Sequence, residues 1–111
     1  MRKVLFTSSM AAITCQSPEF PKDYVFTEKD WSDEQFLRNE KLWYPLGKTL
    51  AEKTAQEVIT EFNLSNDEHK VEFISILPPI VLGTMLQKKI NTSSQSIRGI
   101  VVRLFIFIFL F

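Results

Sequence analysis

Runs of apolar and polar residues change period several times along the chain, and the changes mark out its elements. Residues 3–9, KVLFTSS, form an apolar run that ends in small hydroxyls. This predicts a buried strand with Ser8 and Ser9 at its end. Residues 16–31 contain Pro18, Pro21 and mixed charges without a period, and read as a long surface loop. Ser32 followed three residues later by Gln35 is a capping box, so a helix is expected to start at Ser32. Beyond it, Leu46, Leu50, Ala51, Ala55, Val58, Ile59 and Phe62 recur at helical spacing as one apolar stripe. Glu52, Lys53, Gln56 and Glu57 lie off that stripe. A helix over 45–62 follows, with Pro45 in the first turn, where its missing N–H costs least. Residues 63–70, NLSNDEHK, form a polar connection, and VEFISIL (71–77) reads as a second strand. Both strands are apolar on successive residues, as strands covered on both faces are. Strand, loop and helix, then strand predicts an α/β crossover with parallel neighbours.

The end of the chain breaks the pattern. RLFIFIFLF is strongly apolar, and three readings fit it: a buried strand, an aggregation-prone edge, or a tail foreign to the domain. From Ile100 to the end it is well short of the roughly 20 residues a membrane helix needs. The start, MRKVLFTSSMAAITC, has two charges and an apolar run like a signal peptide, but Thr7, Ser8 and Ser9 interrupt it.

Composition narrows the class. The 111 residues suffice for one small domain. With 45% apolar residues, the chain is outside the range of disordered sequences. Thirteen basic and thirteen acidic side chains cancel, so charge points to neither nucleic acid nor an anionic membrane. Cys15 is the only cysteine, which excludes an internal disulfide, argues against a metal cluster and suits a reducing compartment, the cytoplasm. His69, the only histidine, falls in the polar connection and reads as a solvated loop residue.

One spacing has chemical content. In WYPLGK (43–48), Tyr44 and Lys48 stand one helical turn apart on one face. A phenol, with a pKa of about 10, is a poor acid–base group at neutral pH, and a neighbouring ammonium stabilises its anion. Such a pair can protonate a carbonyl oxygen as hydride reaches its carbon. The hydroxyl needed to hold that oxygen has two candidates at the strand end, Ser8 and Ser9. A surface aromatic beside a solvated lysine would give the same spacing.

Four segments together go further. VLFTSSMAA, DWSDEQF, KLWYPLGKTLAEKTAQE and PPIVLGTMLQKKINTSS occur in the order and rough spacing of one family. Over residues 3–97 the chain resembles plant NADPH-dependent reductases of the extended short-chain dehydrogenase superfamily. That group includes cinnamoyl-CoA, dihydroflavonol and phenylacetaldehyde reductases. It looks most like the cinnamoyl-CoA-reductase-like aldehyde reductases, with their LWY..SKTLAE helix; here Gly47 precedes the lysine, and LWYPLGK departs from the NWYCYGK of true cinnamoyl-CoA reductases. The resemblance implies a doubly wound, Rossmann-like parallel sheet and a small-molecule carbonyl substrate, phenylpropanoid-like, reduced by NADP(H). It implies Ser9 as the catalytic serine, Tyr44 as general acid, and Lys48 as the residue that tunes Tyr44 and binds the nicotinamide ribose. Tyr44, Lys48, Pro78, Val81 and Ser93 are then the cofactor-binding positions. NLSNDEHK is longer than the family's turn, and Thr84 and Lys88 stand where prolines are common.

A dinucleotide site also needs a Gly-rich turn at a helix N-terminus. Gly47, Gly83 and Gly99 form no such pattern. The expectation is a partial Rossmann-like fragment without the N-terminal Gly-rich βαβ unit, a truncated product or partial gene model. Residues 1–97 would be its catalytic-motif portion and 98–111 an apolar tail outside the family pattern. Such a fragment would be inactive alone. Two other readings stand beside it: a non-catalytic fragment that works only by pairing with another chain, through its exposed sheet edge and apolar tail, and a small exported protein with a lipid-facing tail.

Overall fold

The computed structural model describes residues 2–66, 69–83 and 87–110, with side chains up to Val102 in the last helix. Two compact units divide the chain, residues 1–79 and 80–111. In the first, strand β1 (Arg2–Thr7) leads into a single 3-10 turn at Met10–Ala12, then helix α1 (Glu34–Asn39), helix α2 (Trp43–Ser65) and strand β2 (Val71–Ile76). The second contains helix α3 (Thr92–Leu110).

The strands pair in parallel, from Arg2 against Val71 to Thr7 against Ile76. The class is therefore α/β with a two-stranded parallel sheet, the crossover the sequence predicts. Side chains alternate across a strand. Val4, Phe6 and Ser8 therefore share a face with Phe73, Ser75 and Leu77, and this face meets α2; the rings of Phe6 and Phe73 lie 5.9 Å apart. Asn63 fixes the return from helix to strand: its amide donates to the Val71 carbonyl at 2.8 Å and its oxygen accepts from the Val71 N–H at 2.7 Å. The opposite face carries Leu5 and Ile76, both exposed, so the strands are not covered on both faces as their sequences suggest.

The loop of residues 16–31 is closed at its base. The Ser32 hydroxyl accepts from the Cys15 N–H and donates to the Ala11 carbonyl, at 2.8 and 2.9 Å, and the Gln16 amide donates to the Trp31 carbonyl at 2.9 Å. Ser32 is therefore a buried loop clasp and not the helix cap its spacing implies. Asp33 caps α1, accepting from the Phe36 N–H. Within the loop, Phe20 stacks on Phe26, and Tyr24 meets both rings edge-on.

Helix α1 ends in a Schellman arrangement with Lys41 in the left-handed region, φ 55°, where glycine is usual. The Leu42 N–H donates to the Leu37 carbonyl and the Lys41 N–H to that of Arg38. Helix α2 starts directly afterwards, so Pro45 falls in its first turn, where its missing N–H breaks no intrahelical bond. Its buried face differs from the apolar stripe. Leu46, Thr49 and Glu52 are buried, while Leu50, Val58 and Phe62 are exposed. Leu37 and Ala12 complete the buried set around the 3-10 turn.

In the second unit, residues 92–110 are helical, which corrects the strand and edge readings of the C-terminal tail. Among the described residues, no helix is long and apolar enough to cross a membrane. His69 is exposed. Thr84 lies outside the described residues, as do the side chains of 103–110.

Candidate active site

The C-terminal ends of the two parallel strands gather most of the predicted positions. Beyond Thr7 and Ile76 the ladder continues, with the Ser8 N–H donating to the Ile76 carbonyl at 2.8 Å and the Met10 N–H to the Pro78 carbonyl at 3.1 Å. Pro78 is thereby tied to the 3-10 turn that Ser9 begins. Helix α2 crosses at this end. The Lys48 ammonium donates to the Thr7 carbonyl at 3.4 Å, bringing the first turns of α2 to the end of β1. Tyr44, one turn earlier on the same helix face, is exposed.

The two strand-end serines have different surroundings. Ser8 is buried and donates to Glu52 Oε2, in the third turn of α2. Ser9 is half-buried, and its oxygen accepts from the Ala11 N–H at 3.2 Å, capping the 3-10 turn. Ser8 is thus committed to the interior, while Ser9 keeps a hydroxyl proton to give.

Val81 and Ser93 belong to the second unit, where Val81 is exposed and Ser93 is half-buried in the first turn of α3. Glu52 is the residue at this end that sequence reasoning missed. The pattern leaves it off the apolar stripe, with the other charged and polar residues of the helix. Its spacing of three and six from Thr49 and Leu46 was the available signal. Cys15 is a free, half-buried thiol. No group among the described residues has the composition to hold a metal ion.

The first unit is thus an α/β crossover that presents a Tyr-x-x-x-Lys helix turn and a serine at the carboxyl ends of parallel strands. No protein-family model matches the chain. Individual proteins do. Cinnamoyl-CoA reductase 2 of Medicago truncatula is 36% identical over 94 residues, covering 85% of this chain and 26% of that protein. Cinnamoyl-CoA reductase 1 of Petunia hybrida is 37% identical over 93 residues, 84% of this chain and 26% of its own length. Dihydroflavonol 4-reductase of Callistephus chinensis is 36% identical over 89 residues, 78% of this chain and 22% of its own. The chain is a homologue of the plant cinnamoyl-CoA reductases and dihydroflavonol reductases, and spans about a quarter of the length of the curated relatives it matches.

Proposed function

We propose that this chain carries the proton-donating part of an NADPH-dependent carbonyl reductase with a Rossmann-like sheet. The observation that supports this reading best is the Lys48–Thr7 hydrogen bond, which ties the helix turn after Tyr44 to the strand end before Ser9. The cofactor supplies a hydride to an aldehyde, ketone or thioester carbon. The residues of the first unit suit its nicotinamide end only: Lys48 offers N–H donors to ribose hydroxyls, and Pro78 offers apolar contact. The pyrophosphate has no cradle in these residues, since none of the three glycines lies in a strand-to-helix turn of the Gly-rich kind.

Within that frame the roles follow from chemistry. Ser9 donates its hydroxyl proton in a hydrogen bond to the carbonyl oxygen and fixes its position. Tyr44 transfers its phenolic proton to the same oxygen as negative charge develops there. Lys48 keeps a positive charge one turn away, which favours the phenolate left behind. The test is a graft. Residues 3–97 replace the matching segment of Medicago truncatula cinnamoyl-CoA reductase 2, and NADPH-dependent carbonyl reduction is measured. The graft should be active, and Tyr44→Phe within it should lower kcat by about 100-fold or more. An active graft indifferent to Tyr44→Phe would refute the assignment.

A second reading is non-catalytic association with another chain. It is favoured by the uncovered sheet face, with Leu5 64% and Ile76 47% exposed, and by the open outer edges of both strands among the described residues. Self-association through these surfaces is compatible with either reading.

A further inference from the structure

A cavity of about 460 Å³ lies between the 26–31 segment, α2 and the inner face of β2, and Tyr44 does not line it. Its volume is within the range of pockets that enclose small organic ligands. Phe26, Trp31 and Phe73 provide aromatic walls. Glu52 and Ser75 provide polar groups inside, with Glu28 among the lining residues. Among the described residues, no lysine, arginine or histidine lines it. Lys53 lies 5.2 Å from the centre of the Trp31 ring, but its ammonium is paired with Glu34 at 2.6 Å. Asp30 also borders the space, yet both its oxygens are engaged by Tyr24 and Thr27.

Two features of this cavity call for a ligand of one kind. Glu52 is only 3% exposed, and among the described residues its partner is the neutral Ser8 hydroxyl, on one oxygen, with no ion pair. A buried carboxylate is costly until a positive charge meets it. The Ser75 hydroxyl is buried with no hydrogen-bond partner among the described residues, a rare condition in folded proteins. Water would satisfy Ser75 but leave the charge uncompensated. A cationic nitrogen supplies both a charge and N–H donors, and the aromatic walls favour a cation carried on a flat apolar body.

We propose that this cavity binds a small organic cation, a primary ammonium on an aromatic body, with its nitrogen donating to Glu52 and Ser75. The site is independent of the carbonyl chemistry proposed above, and its test needs no turnover. The full chain, with Trp43→Phe so that Trp31 is the only tryptophan, is titrated with 2-phenylethylammonium while Trp31 fluorescence is followed. 2-Phenylethanol and phenylacetate serve as the neutral and anionic counterparts. The ammonium should give a saturable response, the alcohol should bind about tenfold more weakly or worse, and phenylacetate should give none. Glu52→Gln keeps an acceptor for Ser8 and removes the charge, so it should weaken ammonium binding about tenfold or more and leave the alcohol unchanged. Ser75→Ala deletes a hydroxyl that has no partner among the described residues, so circular dichroism should be unaltered while ammonium binding weakens at least about threefold. Equal binding of all three probes, no saturable response from a folded chain, or unchanged ammonium affinity in Ser75→Ala and a folded Glu52→Gln would overturn the proposal.

Discussion

Ser8, the first residue beyond β1, donates its hydroxyl to Glu52 in α2, and both are buried. This contact joins the end of the strand to the middle of the helix that carries Tyr44 and Lys48. Removing the donor leaves a carboxylate oxygen buried and unsatisfied. Ser8→Ala should therefore lower stability by about 1–3 kcal/mol, read as a shift in the denaturant midpoint at constant slope. Glu52→Ala should cost a similar amount, and the double variant should cost less than the sum because the two share one interaction. Additive losses would show that the contact does not couple strand and helix.

Lys41 offers a change in the opposite direction. It holds the left-handed position at the end of α1, where a Cβ is strained. Lys41→Gly removes that strain while adding freedom to the unfolded chain. A net gain of about 0.5–1 kcal/mol is expected, visible as a higher midpoint in the same unfolding experiment. A destabilised variant would show that the lysine side chain contributes more than its backbone costs.

The crossover was legible because it rests on local signals. Two apolar runs and a periodic segment between them suffice to call strand, helix and strand, and the observed bounds differ from the predicted ones by a few residues. The Tyr44–Lys48 spacing was legible for the same reason. What the pattern concealed were choices made by tertiary contacts. Glu52 falls off the apolar stripe, yet Ser8, 44 residues away in sequence, reaches it. Ser32 reads as the cap, and only the chain returning past Ala11 and Cys15 shows that it is a loop clasp and that Asp33 caps the helix. Phe105 and its neighbours read as a strand, an edge or a foreign tail and are helical in the structure, since a short apolar run without polar punctuation has no period to read.

The loop should respond to pH through Asp30. Its carboxyl titrates below the ordinary carboxylate range, chiefly because the Thr27 N–H donates to it and also because the Tyr24 hydroxyl does. Tyr24 is shifted upward, first by that hydrogen bond to Asp30. A depressed acid stabilises the fold above its unfolded pKa, about 3.9, and that contribution fades as pH falls through the lower folded value. The raised phenol stabilises below about pH 10 and loses its contribution as pH rises through the higher folded value. The ring proton shifts of Phe20, Tyr24 and Phe26 should therefore be flat across neutral pH and move at both extremes. Asp30→Asn should remove the acid transition, and an unchanged one would assign it to another carboxyl.

NADPH affinity of the 111-residue chain should be undetectable by calorimetry. Tyr44, Lys48 and Pro78 serve only the nicotinamide end in the proposed arrangement. Most of the affinity for a dinucleotide in this fold comes from a Gly-rich turn at a helix N-terminus, and no such turn occurs in this sequence. Micromolar binding would mean that another part of the chain grips the phosphates.

Association is the last expectation, and its causes are separate in the two units. In the first, the sheet has two strands, and each has an outer edge open among the described residues. Unpaired edges bind other chains readily unless charge or proline protects them. Lys3 and Glu72 provide some charge, but they pair with each other at 3.0 Å. The uncovered face with Leu5 and Ile76 adds apolar surface, and Val58 and Phe62 add more on α2. In the second unit, Ile100, Val101 and Val102 are exposed on α3, and the sequence continues beyond Arg103 as LFIFIFLF, eight apolar residues without charge or proline. A helix with such a stretch seeks an apolar partner, and in an unfolded chain the same stretch favours β-aggregation. The full chain should therefore elute as large species by size-exclusion chromatography with light scattering. Deleting residues 98–111 should raise soluble yield and shift the distribution toward small species without abolishing association, since the open strands remain. Adding Leu5→Lys to that deletion, which places charge on the uncovered sheet face, should reduce association further. A sharp monomer peak for the full chain, with cooperative thermal unfolding, would show that these surfaces are already covered in solution and that the association argument is wrong.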